Sequence, residues 1–130
     1  MIEISRIDHF VLTCRDVEVT AAWYERVLGF RREIFGSERR VALHFGTQKI
    51  NLHPAGREYS PHARQPTVGS ADFCLITEAA PADIVAHLMR AGVDIEEGPV
   101  TRTGALGQMM SVYCRDPDGN LIEIATYFKD

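Results

Sequence analysis

Five side chains able to ligate a metal, accept a hydrogen bond or move a proton recur at strand-like positions. They are His9 in IDHFVLTC, Asn51 and His53 in QKINLH, Asp72 in SADFCLIT and Glu123 in NLIEIATY. Histidine nitrogen and carboxylate oxygen are the donors a catalytic divalent metal uses when it must keep positions open for substrate. No local pair of the H-x-x-x-H kind is present, so any such set has to be gathered by the fold. Glu123 poses the sharpest question, because Leu121, Ile122, Ile124 and Ala125 surround it with apolar neighbours.

Alternation along a strand resolves that conflict, since successive side chains point to opposite faces. Ile122 and Ile124 then oppose Glu123, Phe73 and Leu75 oppose Asp72, Ile50 and Leu52 oppose Asn51 and His53, and Phe10 and Leu12 oppose His9. Two helical stripes can cover the apolar sets: Val17, Ala21, Tyr24 and Leu28 in one, Ile84, Val85 and Leu88 in the other. The other face is left concave and free, and carries His9, Asn51, His53, Asp72 and Glu123. Purely structural roles stand beside this reading: a satisfied inward His9, an Asp72 bonded to a turn, a Glu123 paired with Arg102 or Arg115. His44, on the same face by parity, and His62 and His87 read as ordinary surface residues.

The elements that position these groups repeat. Asp16 caps a helix VEVTAAWYERVL that stops at Gly29, and Pro81 opens PADIVAHLMRA, which stops at Gly92. DHFVL lies over ADFCL at an offset of 63, and the two glycines differ by 63 as well. With the further strands RVALHFG, QKINLH, MMSVYCR and NLIEIATY, each half reads βαβββ. The expected fold is α+β: two tandem modules, about 5–54 and about 70–128, that form an open curved mixed sheet cupping a metal or ligand site. The segment PAGREYSPHARQPTVG, 54–69, is the linker, and 1–130 forms a single domain. Equating Asn51 with Glu123 needs an offset of 72, which leaves nine extra residues in the second half, assigned to a functional loop GPVTRTGALGQ. Arg102 in that loop is expected to close over the pocket and bind a negative group of the substrate, a solvated loop arginine being the alternative. DPDGN is chiefly a turn.

Composition limits the function classes. At 130 residues, with 45% apolar and 25% charged residues, the chain is globular, and a net charge of −4 offers no basic field for a nucleic acid. Cys14, Cys74 and Cys114 are odd in number and lack C-x-x-C spacing, which fits reduced thiols in the cytoplasm. MIEISRIDHF has no basic-then-apolar signal, and no apolar run reaches the roughly 18 residues of a membrane span. A soluble cytoplasmic protein without a membrane partner is expected.

IDHFVLTCRDVEVTAAWYERVLGF together with RDPDGNLIEI resembles the vicinal oxygen chelate superfamily, which includes glyoxalase I, fosfomycin resistance proteins, extradiol dioxygenases and bleomycin resistance proteins. FGTQKINLH, GSADFCLITE and IEEGPVTRTGALGQMMSVYCRDPDGNLIE look like glyoxalase domain-containing protein 5 and its bacterial relatives. The resemblance implies a ligand on the first and last strand of each module. His9 and Glu123 match the family's residue types, whereas Asn51 stands where a glutamate is usual and Asp72 where a histidine is usual. The implied metal set is His9, Asp72 and Glu123, with His53 as an alternative second nitrogen. It suits manganese, iron or magnesium better than zinc, and nickel is a further option. The implied activity is that of a metal-dependent lyase or isomerase on a small substrate with vicinal oxygens. His53 or Asp72 would serve as base, Asn51 and Arg102 would bind substrate, and the chain would form a homodimer. A ring-cleaving dioxygenase and a metal-free binding protein of bleomycin resistance type are the alternatives.

Overall fold

The computed structural model describes residues 1–129 and divides into two compact units, Met1–Val68 and a second that begins at Gly69. The first unit runs β1 (His9–Cys14), α1 (Val17–Leu28), β2 (Arg31–Phe35), β3 (Arg40–Phe45) and β4 (Gln48–Pro54). Its four strands form one mixed sheet in the order β1-β4-β3-β2, with β1 and β4 parallel and the other pairs antiparallel. The Asp16 carboxylate accepts from the N–H groups of Glu18 and Val19 and so starts α1, and Gly29, at φ 68°, ends it in the left-handed region open to glycine. The buried stripe of α1 is Thr20, Ala21, Tyr24 and Val27, packed on the sheet side that holds Leu12, Leu43, Ile50 and Leu52. Val17 and Leu28 are only half-buried, so the stripe is turned slightly from the one expected.

The second unit repeats the order with β5 (Asp72–Ile76), α2 (Pro81–Arg90), β6 (Glu97–Gly104), β7 (Gly107–Arg115) and β8 (Leu121–Tyr127), and its sheet order is β5-β8-β7-β6. Ile84 and Leu88 of α2 are buried on the side of Val112, Cys114, Ile122 and Ile124. The repeat is carried by the register itself. Val11 faces Asn51 in the first sheet and Cys74 faces Glu123 in the second, which keeps the offsets of 63 and 72. The α+β architecture is therefore two open, four-stranded mixed sheets, each built as βαβββ.

The expected loop GPVTRTGALGQ is corrected by the structure. It forms β6 and the start of β7, joined by a two-residue turn at Ala105 and Leu106. Side chains along β6 alternate between exposed and half-buried, as a strand requires, and the hairpin is held by bonds from Leu106 N to the Tyr127 hydroxyl (3.2 Å) and from Gln108 Nε2 to Thr103 Oγ1 (3.0 Å). The extra residues of the second half lengthen the connection from α2 to β6, lengthen β6 and β7, and widen the turn between β7 and β8. Glycine is required at 98, where φ is 114° and a Cβ would stand 2.4 Å from the Ser111 carbonyl oxygen. Among the described residues, no helix is long and apolar enough to cross a membrane.

Candidate functional site

In the first unit, the sheet face turned away from α1 carries His9, Lys49, Asn51 and His53 from β1 and β4, beside Ala42 and His44 from β3. His9 is exposed, and its Nδ1 donates to Asp8 Oδ1 at 2.8 Å, which makes Nε2 the lone-pair nitrogen of the ring. That bond holds the Asp8 carboxyl below its ordinary range. A carboxylate on one ring nitrogen is the arrangement that orients metal-binding histidines. His44 is half-buried rather than a plain surface residue, with Nε2 2.9 Å from Glu33 Oε1.

Asn51 lies between Val11 and Ala42, and its Oδ1 is buried and accepts no hydrogen bond. A buried acceptor without a donor is costly, and an O–H or N–H of a ligand is a fitting partner for it. His53 is four residues beyond Lys49, the register partner of His9, so the strand rise sets the two histidine Cα atoms roughly 14 Å apart. They share a face, yet His53 is out of reach of an ion held by His9; as a second nitrogen beside His9 it is ruled out by strand geometry. At 5% exposure it is buried, and burial, then the charges of Arg40 and His62, push its pKa below the ordinary histidine value, with Glu58 opposing. A neutral imidazole at neutral pH is a proton acceptor.

In the second unit, Glu123 stands between Cys74 on β5 and Tyr113 on β7, half-buried and off the core. The fully buried Ser111 hydroxyl donates to Glu123 Oε2 at 2.6 Å. Arg102 does not pair with Glu123 directly: its Nε donates to the Tyr113 hydroxyl (3.0 Å), Nη2 to Glu97 Oε2 (2.7 Å) and Nη1 to the Thr101 carbonyl (3.1 Å). Arg115 is likewise committed, as a two-pronged pair with Glu96 at 2.9 Å on each prong. Burial pushes the Tyr113 hydroxyl pKa up, the Arg102 hydrogen bond opposes this, and the Glu123 charge adds to it. Cys74 is exposed at its surface, yet desolvation by its surroundings and then the Glu123 charge push its thiol up to about 11, which favours the protonated form at neutral pH. Asp72 is exposed at the start of β5, opposite Leu121, on the Glu123 face, with its Cα roughly 8 Å from that of Glu123. Ser111 and Tyr113 were missed from sequence. Their signal was the alternation in MMSVYC, which sets serine and tyrosine together against Val112 and Cys114. A cleft of about 320 Å³ at the start of α2 includes Met110 and Thr126, which point to the opposite side from Glu123, so it is separate from these groups.

Residues 6–124 match the family model of the Glyoxalase/Bleomycin resistance protein/Dioxygenase superfamily. The chain belongs to this superfamily. A protein of Salmonella typhimurium, virulence protein STM3117, is 55% identical over 124 residues, which is 95% of this chain and 85% of that one. Its crystal structure superposes with a TM-score of 0.95, covering 98% of this chain and 100% of the other. Glyoxalase domain-containing protein RDO1 of Mycosarcoma maydis is 46% identical over 126 residues, 97% of this chain and 70% of that one. A lactoylglutathione lyase of Agrobacterium tumefaciens, 22% identical with a TM-score of 0.73 over 95% of each chain, shares the fold.

Divalent metals are usual in this superfamily; the first unit offers a histidine oriented by Asp8 and the second a carboxylate held by Ser111, each a donor of suitable chemistry. Among the described residues no three of His, Cys, Asp or Glu lie close enough together to hold an ion.

Proposed function

We propose that the chain is a divalent-metal-dependent lyase or isomerase of glyoxalase type, acting on a small substrate with vicinal oxygens, with His9, Asp72 and Glu123 as the metal ligands. The observation that carries this reading is Glu123: a carboxylate kept off an apolar core by strand alternation and fixed by a buried serine hydroxyl at 2.6 Å. Superfamily membership and the resemblance to a protein named for its glyoxalase domain support the same chemistry.

When bound, the metal would stabilise negative charge developing on the substrate's oxygens. The remaining work falls to the chain's own side chains. The buried Asn51 Oδ1 accepts from a substrate hydroxyl and so fixes its orientation. A ring nitrogen of neutral His53 takes the proton released beside the polarised carbonyl, the Asp72 carboxylate being the second candidate base only where it is not a metal ligand. Arg102 meets a negative group on the substrate from a fixed strand position, exchanging its ion pair with Glu97 for the ligand.

Elemental analysis of purified wild-type protein and of Glu123→Ala and His9→Ala tests the reading. Stoichiometric metal in the wild type, lost in both variants, is expected. A wild type that takes up no metal from manganese, iron, nickel, zinc or magnesium solutions would turn the assignment to a metal-free binding protein, and oxygen uptake with catechols would turn it to a dioxygenase.

A further inference from the structure

His53 has an unusual neighbour for a group at the end of a strand. The segment that follows β4, which reads as a spacer rich in proline and glycine, folds back so that the Tyr59 ring stands edge-on to the His53 imidazole, with centroids 5.1 Å apart and planes at 90°. Tyr59 is itself held from its other side. The Arg40 guanidinium lies over its ring, 4.4 Å from the centroid, while Arg40 Nη2 donates to Glu38 Oε1 at 2.8 Å. Arg40 continues the β3–β4 register past the Val41–Leu52 pair, to the level of His53. Imidazole, phenol ring and guanidinium therefore form one chain of contacts that crosses from strand to linker and back to strand.

We propose that Tyr59 is a positioning residue for His53: the linker tyrosine, pinned by Arg40, fixes the imidazole plane and keeps water off it, so that the ring is presented uncharged to the substrate face. This inference rests on the reading of His53 as the proton acceptor. Edge-to-face contact uses the ring and not the hydroxyl, so phenylalanine should replace tyrosine without loss. The charged and titratable groups that face His53 are Arg40 from β3 and His62 and Glu58 from the linker. Glu58 accepts from Gly56 N at 2.8 Å, and the His62 Nδ1 bonds the Ala63 carbonyl, which fixes both side chains near their own turn. Arg40 and His62 favour the neutral ring and Glu58 opposes them, and removing the tyrosine admits water that favours the charged one.

The experiment is a histidine-ring NMR titration of the full chain, with the His53 signals assigned through His53→Gln. Tyr59→Phe is expected to reproduce the wild-type shifts and midpoint. Tyr59→Ala should raise the His53 midpoint toward the ordinary histidine value by at least half a pH unit, a threefold change in the protonation constant. Arg40→Gln should move it in the same direction. An unchanged midpoint in Tyr59→Ala overturns the proposal, and so does a Tyr59→Phe midpoint as displaced as that of the alanine variant. If Tyr59→Ala does not fold, Tyr59→Leu and Arg40→Gln decide by the same criterion. Because the readout is the ring itself, it stands apart from the role of His53 as base. That role fails separately if His53→Gln leaves the pH profile of turnover intact.

Discussion

A histidine whose folded pKa lies below its unfolded value binds fewer protons folded than unfolded, and His53 is such a group. Stability therefore rises with pH across its window: above an unfolded value of about 6.5 the term is absent, and as pH falls through that value the unfolded chain takes up a proton the folded chain resists. The expected outcome is a urea midpoint that declines between neutral pH and about pH 5, with a shallower decline in His53→Gln; equal slopes in the two proteins would count against a depressed folded pKa. At this scale, strand parity in the sequence was enough to set the faces of Glu123, His9 and Asn51. It could not find their partners. Ser111 reaches Glu123 from 12 positions away, from β7 to the neighbouring β8, and Tyr59 reaches His53 only because the segment after β4 folds back. Neither contact has a periodic signature.

The turn between β7 and β8 sets where two of the candidate groups sit. Asp116 is buried at 5% exposure, and its carboxylate accepts from the N–H groups of Asp118 (2.9 Å) and Asn120 (3.0 Å) and from Asn120 Nδ2 (2.8 Å). Asn120 Oδ1 in turn accepts from Ala71 N at 2.9 Å, so one hydrogen-bonded turn fixes the start of β8, with Glu123, against the start of β5, with Asp72. Asp116→Ala strands several buried donors and is expected to cost about 2–3 kcal/mol, read as a lowered denaturant midpoint at unchanged slope. Asp116→Asn, which keeps an acceptor, should lose less; equal losses would mean that the turn is held by its backbone alone. The residues DPDGN announce this turn in sequence. Offset counting failed at GPVTRTGALGQ, where nine extra residues pointed to an inserted loop. There the glycines serve close packing against Ser111 and against Tyr127, and a two-residue connection, both matters of what lies across the sheet.

Each of the two units has its own sheet and its own helix, and a unit of about 60 residues buries a modest share of its surface. β1 and β5 are edge strands of their sheets, and they keep Val11 and Ile76 exposed at 43% and 52%. Apolar side chains exposed on an edge strand are surfaces that a second chain can cover. These features support the homodimer that the family resemblance implies. Light scattering on the full chain from one to one hundred micromolar, with and without added divalent metal, is expected to return twice the chain mass of 14.6 kDa. Ile76→Lys places a charge on the β5 edge and is expected to shift the population toward the single chain, with its helix content unchanged by circular dichroism. A single-chain mass across that whole range with metal present would overturn the dimer. A dimeric Ile76→Lys would move the contact away from β5 and leave β1 and its Val11 as the edge to substitute next.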